Sequence, residues 1–170
     1  MLLTAMEYQA GPIALRYPRG SGLGVDCTEP MRVLPIGKAE KLRDGSQVSL
    51  WAIGTMVQKA EKMAELLAAS GISAGVINMR FAKPLDEALL REEAIGTHFI
   101  VTLEEGALAG GVGAAVTASL NRQELLGTTK ILNFGIPDEF VPQGEIKQLL
   151  QDLGLTAEEM AAKVADHLTK

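Results

Sequence analysis

The stretch that most restricts what this chain can fold into runs from Phe99 to Leu126, FIVTLEEGALAGGVGAAVTASLNRQELL. Phe99–Leu103 is a short apolar, partly β-branched run, which predicts a buried strand of a parallel sheet. Glu104–Gly111 reads as a glycine-rich loop. From Val112 to Leu126 the apolar residues Val112, Val116 and Leu120 recur at helical spacing, which predicts a helix packed on the sheet. Gly110, Gly111 and Gly113 let that helix start where a Cβ would meet neighbouring backbone. Strand, loop and helix make half of a βαβ unit, and similar half-units lie on either side.

Gly111-Val112-Gly113 invites comparison with a dinucleotide fingerprint, and the comparison fails. In that fingerprint the first glycine follows the strand almost at once, and an acidic residue about 20 positions on ends the next strand. Here several residues, two of them glutamates, separate the strand from the glycines. The next apolar run, Lys130–Phe134, meets no acid until Asp138. Two carboxylates would also repel a pyrophosphate. The expected role is tight helix–sheet packing, with the loop edge facing a partner.

The rest of the chain repeats the pattern. Met1–Gln9 reads as the end of a helix, and Pro12–Pro18 alternates like a strand; together they suggest a chain cut from something longer. Gly20–Pro35, rich in glycine and proline, reads as a surface linker. Ile36–Leu42 and Val48–Ile53 flank Asp44-Gly45, a hairpin signal. Trp51 is expected in the core or at an interface. Thr55 is placed as an N-cap, Met56–Ser70 as an amphipathic helix, and Gly71 as its C′ glycine. Ala74–Met79 is a strand, Asp86 caps a helix through about Ala94, and Lys130–Phe134 is a last strand. Helices over Glu145–Leu153 and Thr156–Leu168 are split at Gly154, with Thr156 and Glu159 forming a capping box. Strands alternating with helices predict an α/β domain: a mostly parallel five-stranded sheet with one antiparallel edge strand and helices on both faces.

Composition removes several function classes. Hydrophobic residues are 47% and charged residues 22% of the 170, a globular balance. A net charge of −5 with scattered basic residues argues against a nucleic-acid surface. Aromatics at 4% are too few for base-stacking platforms. No apolar run is long enough to span a membrane, and the first residues lack a signal-peptide pattern. Cys27 is the single cysteine, which excludes an internal disulfide and fits a reducing, cytoplasmic setting.

Familiar catalytic constellations are not visible. No His/Cys/Asp cluster has metal-ligand spacing, no nucleophile elbow occurs, and the two histidines lack a nucleophile partner. Glu104 and Glu105 could serve acid–base work. Neighbours on a strand point to opposite faces, so solvent or interface hydrogen bonds are the expected role. Arg16-Tyr17-Pro18-Arg19-Gly20 stands apart. It places two guanidiniums at the carboxyl end of an expected strand, where open α/β sheets bind ligands, and arginine's planar fork suits phosphate.

RYPRG at Arg16–Gly20, MRFAKPLDE at Met79–Glu87, EEGALAGGVGAAV from Glu104, and FGIPDEFVPQG at Phe134–Gly144 stand in one order and spacing. In that arrangement the chain resembles the C-terminal third of the 1-deoxy-D-xylulose-5-phosphate synthase family, which is transketolase-like and thiamine-diphosphate-dependent. The resemblance implies three parts: residues 1–20 as the end of a pyrimidine-binding domain, 21–35 as a linker, and 36–170 as a transketolase C-terminal domain. It implies a parent transferase that condenses pyruvate with glyceraldehyde 3-phosphate and releases CO2, for isoprenoid, thiamine and pyridoxal synthesis. It assigns the aldehyde's phosphate to Arg19, with Arg16 as a possible second contact or a brace of the turn. Thiamine diphosphate and Mg²⁺ belong to the whole enzyme, and no cofactor, metal or catalytic residue is expected in this chain, which would be inactive alone. The expected partners are the rest of the polypeptide and a homodimer mate. Two alternatives stand beside this: a non-catalytic assembly module, and the C-terminal domain of another transketolase-like or 2-oxoacid dehydrogenase enzyme.

Overall fold

The computed structural model describes residues 1–18, 22, 24, 28 and 30–169. Among these, five strands form one sheet in the order β1-β3-β2-β4-β5: β1 Glu40–Arg43, β2 Val48–Ala52, β3 Ala74–Asn78, β4 Phe99–Ala107 and β5 Lys130–Ile136. All neighbouring pairs are parallel except β1 with β3. The helices are α1 Leu2–Glu7, α2 Met56–Ala69, α3 Glu87–Thr97, α4 Val112–Arg122, α5 Ile146–Asp152 and α6 Ala157–Thr169. The expected fold class is the observed one.

Strand alternation sorts the core into two layers. Val48, Leu50 and Ala52 of β2, with Phe99, Val101 and Leu103 of β4, face α2 and α6, where Met63, Met160 and Val164 are fully buried. Trp51, Ile77 and Ile100 face the other way and meet Leu90 and Ala94 of α3 and Val116 and Leu120 of α4. The Trp51 indole N–H donates to Ser49 Oγ at 3.1 Å, and Ser49 donates to the buried Glu93 carboxylate at 2.6 Å. Lys41 of β1 completes this chain with an ion pair to Glu93 at 2.7 Å. It ties the edge strand to α3.

The expected hairpin is corrected. β1 and β2 do not pair; β3 lies between them. The chain crosses the start of β3 at Gly45, where a Cβ would collide with the backbone of Ala74 and Gly75. The Ser46 N–H donates to Ser73 Oγ at 3.1 Å, and the Ser73 N–H donates to Gln47 Oε1 at 2.7 Å. Asp-Gly here is a crossing, and its glycine is required by backbone-to-backbone contact rather than by a tight turn.

Pro12–Pro18 is not a strand, which corrects a second expectation. A strand needs a ladder partner, and this segment pairs with neither edge of the sheet. Thr55 occupies the N-cap of α2 without capping it through its side chain. Gly71, with φ +78°, ends the helix as expected: its N–H donates to Ala68 O, and that of Ile72 to Leu67 O, a Schellman closure. Asp86 does cap α3, accepting from the Leu89 N–H at 3.3 Å, and Thr156 caps α6 through the Glu159 N–H at 3.3 Å.

Candidate functional site

Strand β4 runs further than its apolar run, through Glu104 and Glu105 to Ala107. Ala107 pairs with Ile136, and the Leu108 N–H donates to Ile136 O at 2.8 Å. The two glutamates therefore sit on opposite faces, as strand geometry requires. Glu104 points to α4 and is buried. Its Oε2 accepts the Val112 N–H at 2.9 Å and its Oε1 the Gly113 N–H at 2.8 Å. These are orphan donors of the first turn of α4, whose N-cap Gly111 has no side chain to satisfy them. The carboxylate also meets the positive end of the helix dipole.

The glycines nearby exist to make room for it. A Cβ on Gly106 would lie 2.6 Å from Glu104 Oε2, and one on Gly111 2.5 Å from the same oxygen. A Cβ on Gly113 would lie 2.7 Å from Thr102 Oγ1. Behind them Thr102 donates to Asn133 Oδ1 at 2.7 Å, Asn133 Nδ2 donates to Thr117 Oγ1 at 3.2 Å, and Thr117 donates to Gly113 O at 2.8 Å. This network locks β4, β5 and α4 together. An anion cannot use the start of α4, because the chain's own carboxylate holds its amides.

On the other face Glu105 lies toward Lys59 of α2. Burial lowers the Lys59 pKa, and the Glu105 charge acts against that. Lys59 Nζ also donates to Leu155 O at 3.2 Å. At the far side of the sheet Asp86 is a hub: it receives Lys38 Nζ at 3.1 Å and the Ala39 N–H at 3.1 Å besides the N–H it caps.

Of the arginine pair, Arg16 is exposed beside an exposed Tyr17, and Arg19 lies outside the described residues, as does Cys27. His98 ends α3 in the left-handed region at φ 56°, exposed. His167 meets the Lys163 carbonyl through Nδ1 at 2.9 Å. Their positions bring neither together with Arg16 or a nucleophile. The roles of Glu104 and Asn133 escaped the sequence reading. The signal for Glu104 was its parity: it shares a face with Ile100 and Thr102, the face on which α4 packs.

Residues 37–160 match the family described as transketolase, C-terminal domain. The chain belongs to this family. Among curated relatives it is 49% identical over 161 residues to the 1-deoxy-D-xylulose-5-phosphate synthase of Heliobacterium modesticaldum, covering 95% of this chain and 24% of that protein. It is 47% identical over 163 residues to the synthase of Thermomicrobium roseum, covering 96% and 26%. The chain thus spans about a quarter of the length of the relatives it matches. Among solved structures, a split-gene transketolase described as an inactive beta4 tetramer superposes with a TM-score of 0.75 at 34% identity, over 85% of this chain and 46% of that one. A transketolase mutant from Pichia stipitis shares the fold, at TM-score 0.55 and 17% identity over 78% of this chain and 18% of that one.

Among the described residues no three His, Cys, Asp or Glu side chains are grouped to hold a metal ion, and Glu104 fills the glycine-flanked helix start. The described residues therefore do not fit a diphosphate–metal cradle.

Proposed function

We propose that this chain is the C-terminal part of a 1-deoxy-D-xylulose-5-phosphate synthase, which condenses pyruvate with glyceraldehyde 3-phosphate and releases CO2 toward isoprenoid, thiamine and pyridoxal precursors. The observation that carries the reading is 49% identity sustained over 95% of the chain. In this reading residues 1–20 end the pyrimidine-binding domain, 21–35 link, and 36–170 form the C-terminal domain. The parent enzyme uses thiamine diphosphate and Mg²⁺ held by residues outside this chain, in a reducing cytoplasmic setting.

The chain's own contribution is positioning. Arg19 donates its planar fork to the phosphate of the aldehyde substrate, with Arg16 bracing the turn, and the five-stranded domain holds a homodimer together. The Glu104 clamp fixes Gly106–Gly113 as a stiff edge to face the partner subunit, and small displacements of such supports cost rate heavily. The test is Arg19→Ala in the full-length enzyme. A charge-assisted contact worth about 1.5–3 kcal/mol predicts a KM for glyceraldehyde 3-phosphate raised about 10–100-fold, with the pyruvate KM within about twofold. An unchanged KM for the aldehyde overturns the assignment.

A second reading has one observation in its favour. The solved split-gene relative is described as inactive and tetrameric. On that precedent the chain alone is a non-catalytic assembly module, and titration of the purified chain with thiamine diphosphate and Mg²⁺ yields no binding heat.

A further inference from the structure

The segment between β5 and α5 carries an aromatic side chain with nothing to cover it. Phe140 is 105% exposed, directly after Asp138 and Glu139, and neither carboxylate has a hydrogen bond or ion pair among the described residues. Following it, α5 has no buried residue, and its first residue, Ile146, is 68% exposed. Beside α5 lies an open groove between α2, α5 and the start of α6, with a volume of about 570 Å³. Ile146, Leu150 and Ala157 supply apolar lining and Glu158 an acid. Of the three lining lysines, Lys62 pairs with Glu65 at 3.0 Å and Lys59 donates to Leu155 O and faces the Glu105 charge, which leaves Lys147 as the free cation of the three among the described residues. The Lys147 ammonium likewise has no partner among the described residues.

We infer that Asp138-Glu139-Phe140 of one copy docks in the lysine-lined groove of a second copy. Chemistry selects this occupant. The groove wants an apolar anchor with acidic neighbours, and Asp138-Glu139-Phe140 displays one, exposed, on an irregular segment. An aromatic seated in a pocket within a ring of polar contacts is the usual hot spot of an interface, and the opposed charges fix its orientation and speed encounter. Phe140 and Ile146 are near in sequence, so a two-fold axis beside Ile146 lets each copy give its loop to the other, and the contact closes on itself. This rests on the reading of the chain as an assembly domain and adds a second contact to its Gly106–Gly113 edge.

The test is sedimentation velocity of the full 170-residue chain from about 1 to 500 μM, the range that resolves a micromolar dimer. Wild type is expected to dimerise. Phe140→Ser should weaken the dimer at least tenfold, with the urea midpoint unmoved when both proteins are diluted to the monomer, since the ring is solvent-exposed there. Glu139→Lys alone and Lys147→Glu alone should each be mostly monomeric, and their equimolar mixture should recover a dimer, because both loop–groove pairs are then complementary. A monomeric wild type, a Phe140→Ser dimer as tight as wild type, or a mixture no better than its parts overturns the inference. The aldehyde-KM assay on Arg19→Ala is independent of all three results, so failure here leaves the synthase reading standing.

Discussion

Glu104 does with one side chain what most helices leave to a local cap. It reaches across from the strand to hold two amides of α4, and it needs glycine at 106 and 111 to fit. Glu104→Gln keeps the shape but turns an NH2 toward one of those donors. We expect a loss of about 2 kcal/mol, read as a lower urea midpoint at unchanged m-value. Asp86 gives a pH signature. Burial would raise its pKa; the Lys38 ammonium and the Leu89 and Ala39 amides outweigh that, and the carboxyl sits below its ordinary 3.8. Its contribution is therefore present above about pH 4 and is lost as pH falls through the depressed folded value. Asp86→Asn should flatten the stability curve between about pH 4 and pH 2, measured by urea melts across that range. Lys41 has the opposite sign: its hydrogen bond to Glu93 raises its pKa above 10.5, against burial, so its contribution holds below that pH and fades as pH rises through the raised value. Asp86 was legible as a cap because Asp before a helical run is a local signal. Glu104 was not, because its partners lie eight and nine residues on and a glycine-rich run looks like loop until the strand's pairing with Ile136 is known.

At the scale of elements, the alternation of strand and helix was readable because the apolar period changes from two to 3.6 at each boundary. The order of strands was not. Asp44-Gly45 promised a hairpin, yet β3 is inserted between its arms, since pairing depends on contacts far apart in sequence, such as Val48 with Ala74. That crossing can be tested. Gly45→Ala pushes a methyl into the backbone of Gly75, with no side chain to move aside, and should cost about 3 kcal/mol or more. Gly71→Ala meets open space and pays only for φ +78°, about 1–2 kcal/mol. Thermal melts of the two variants should rank them in that order. Pro12–Pro18 has the alternation of a strand and no ladder partner among the described residues, so pattern alone misjudged it.

For the whole molecule, the fold is that of a transketolase C-terminal domain, built as two helical layers on one sheet, with the start of α4 closed to anions by its own carboxylate. Such a body suits bracing and assembly, and the substrate contact proposed for the parent enzyme is assigned to the arginine pair that precedes it. The resemblance read from RYPRG and FGIPDEFVPQG led to the same relatives that the comparisons found. The assignment of phosphate to Arg19 rests on that resemblance and not on geometry. The decisive measurement is therefore kinetic. The full-length gene product should be assayed with pyruvate, glyceraldehyde 3-phosphate, thiamine diphosphate and Mg²⁺, as wild type and as Arg19→Ala. The account predicts CO2 release coupled to the phosphorylated five-carbon product in wild type, and in the variant an aldehyde KM raised about 10–100-fold with the pyruvate KM nearly unchanged. A wild type that forms no such product, or a variant with an unaltered aldehyde KM, would contradict it.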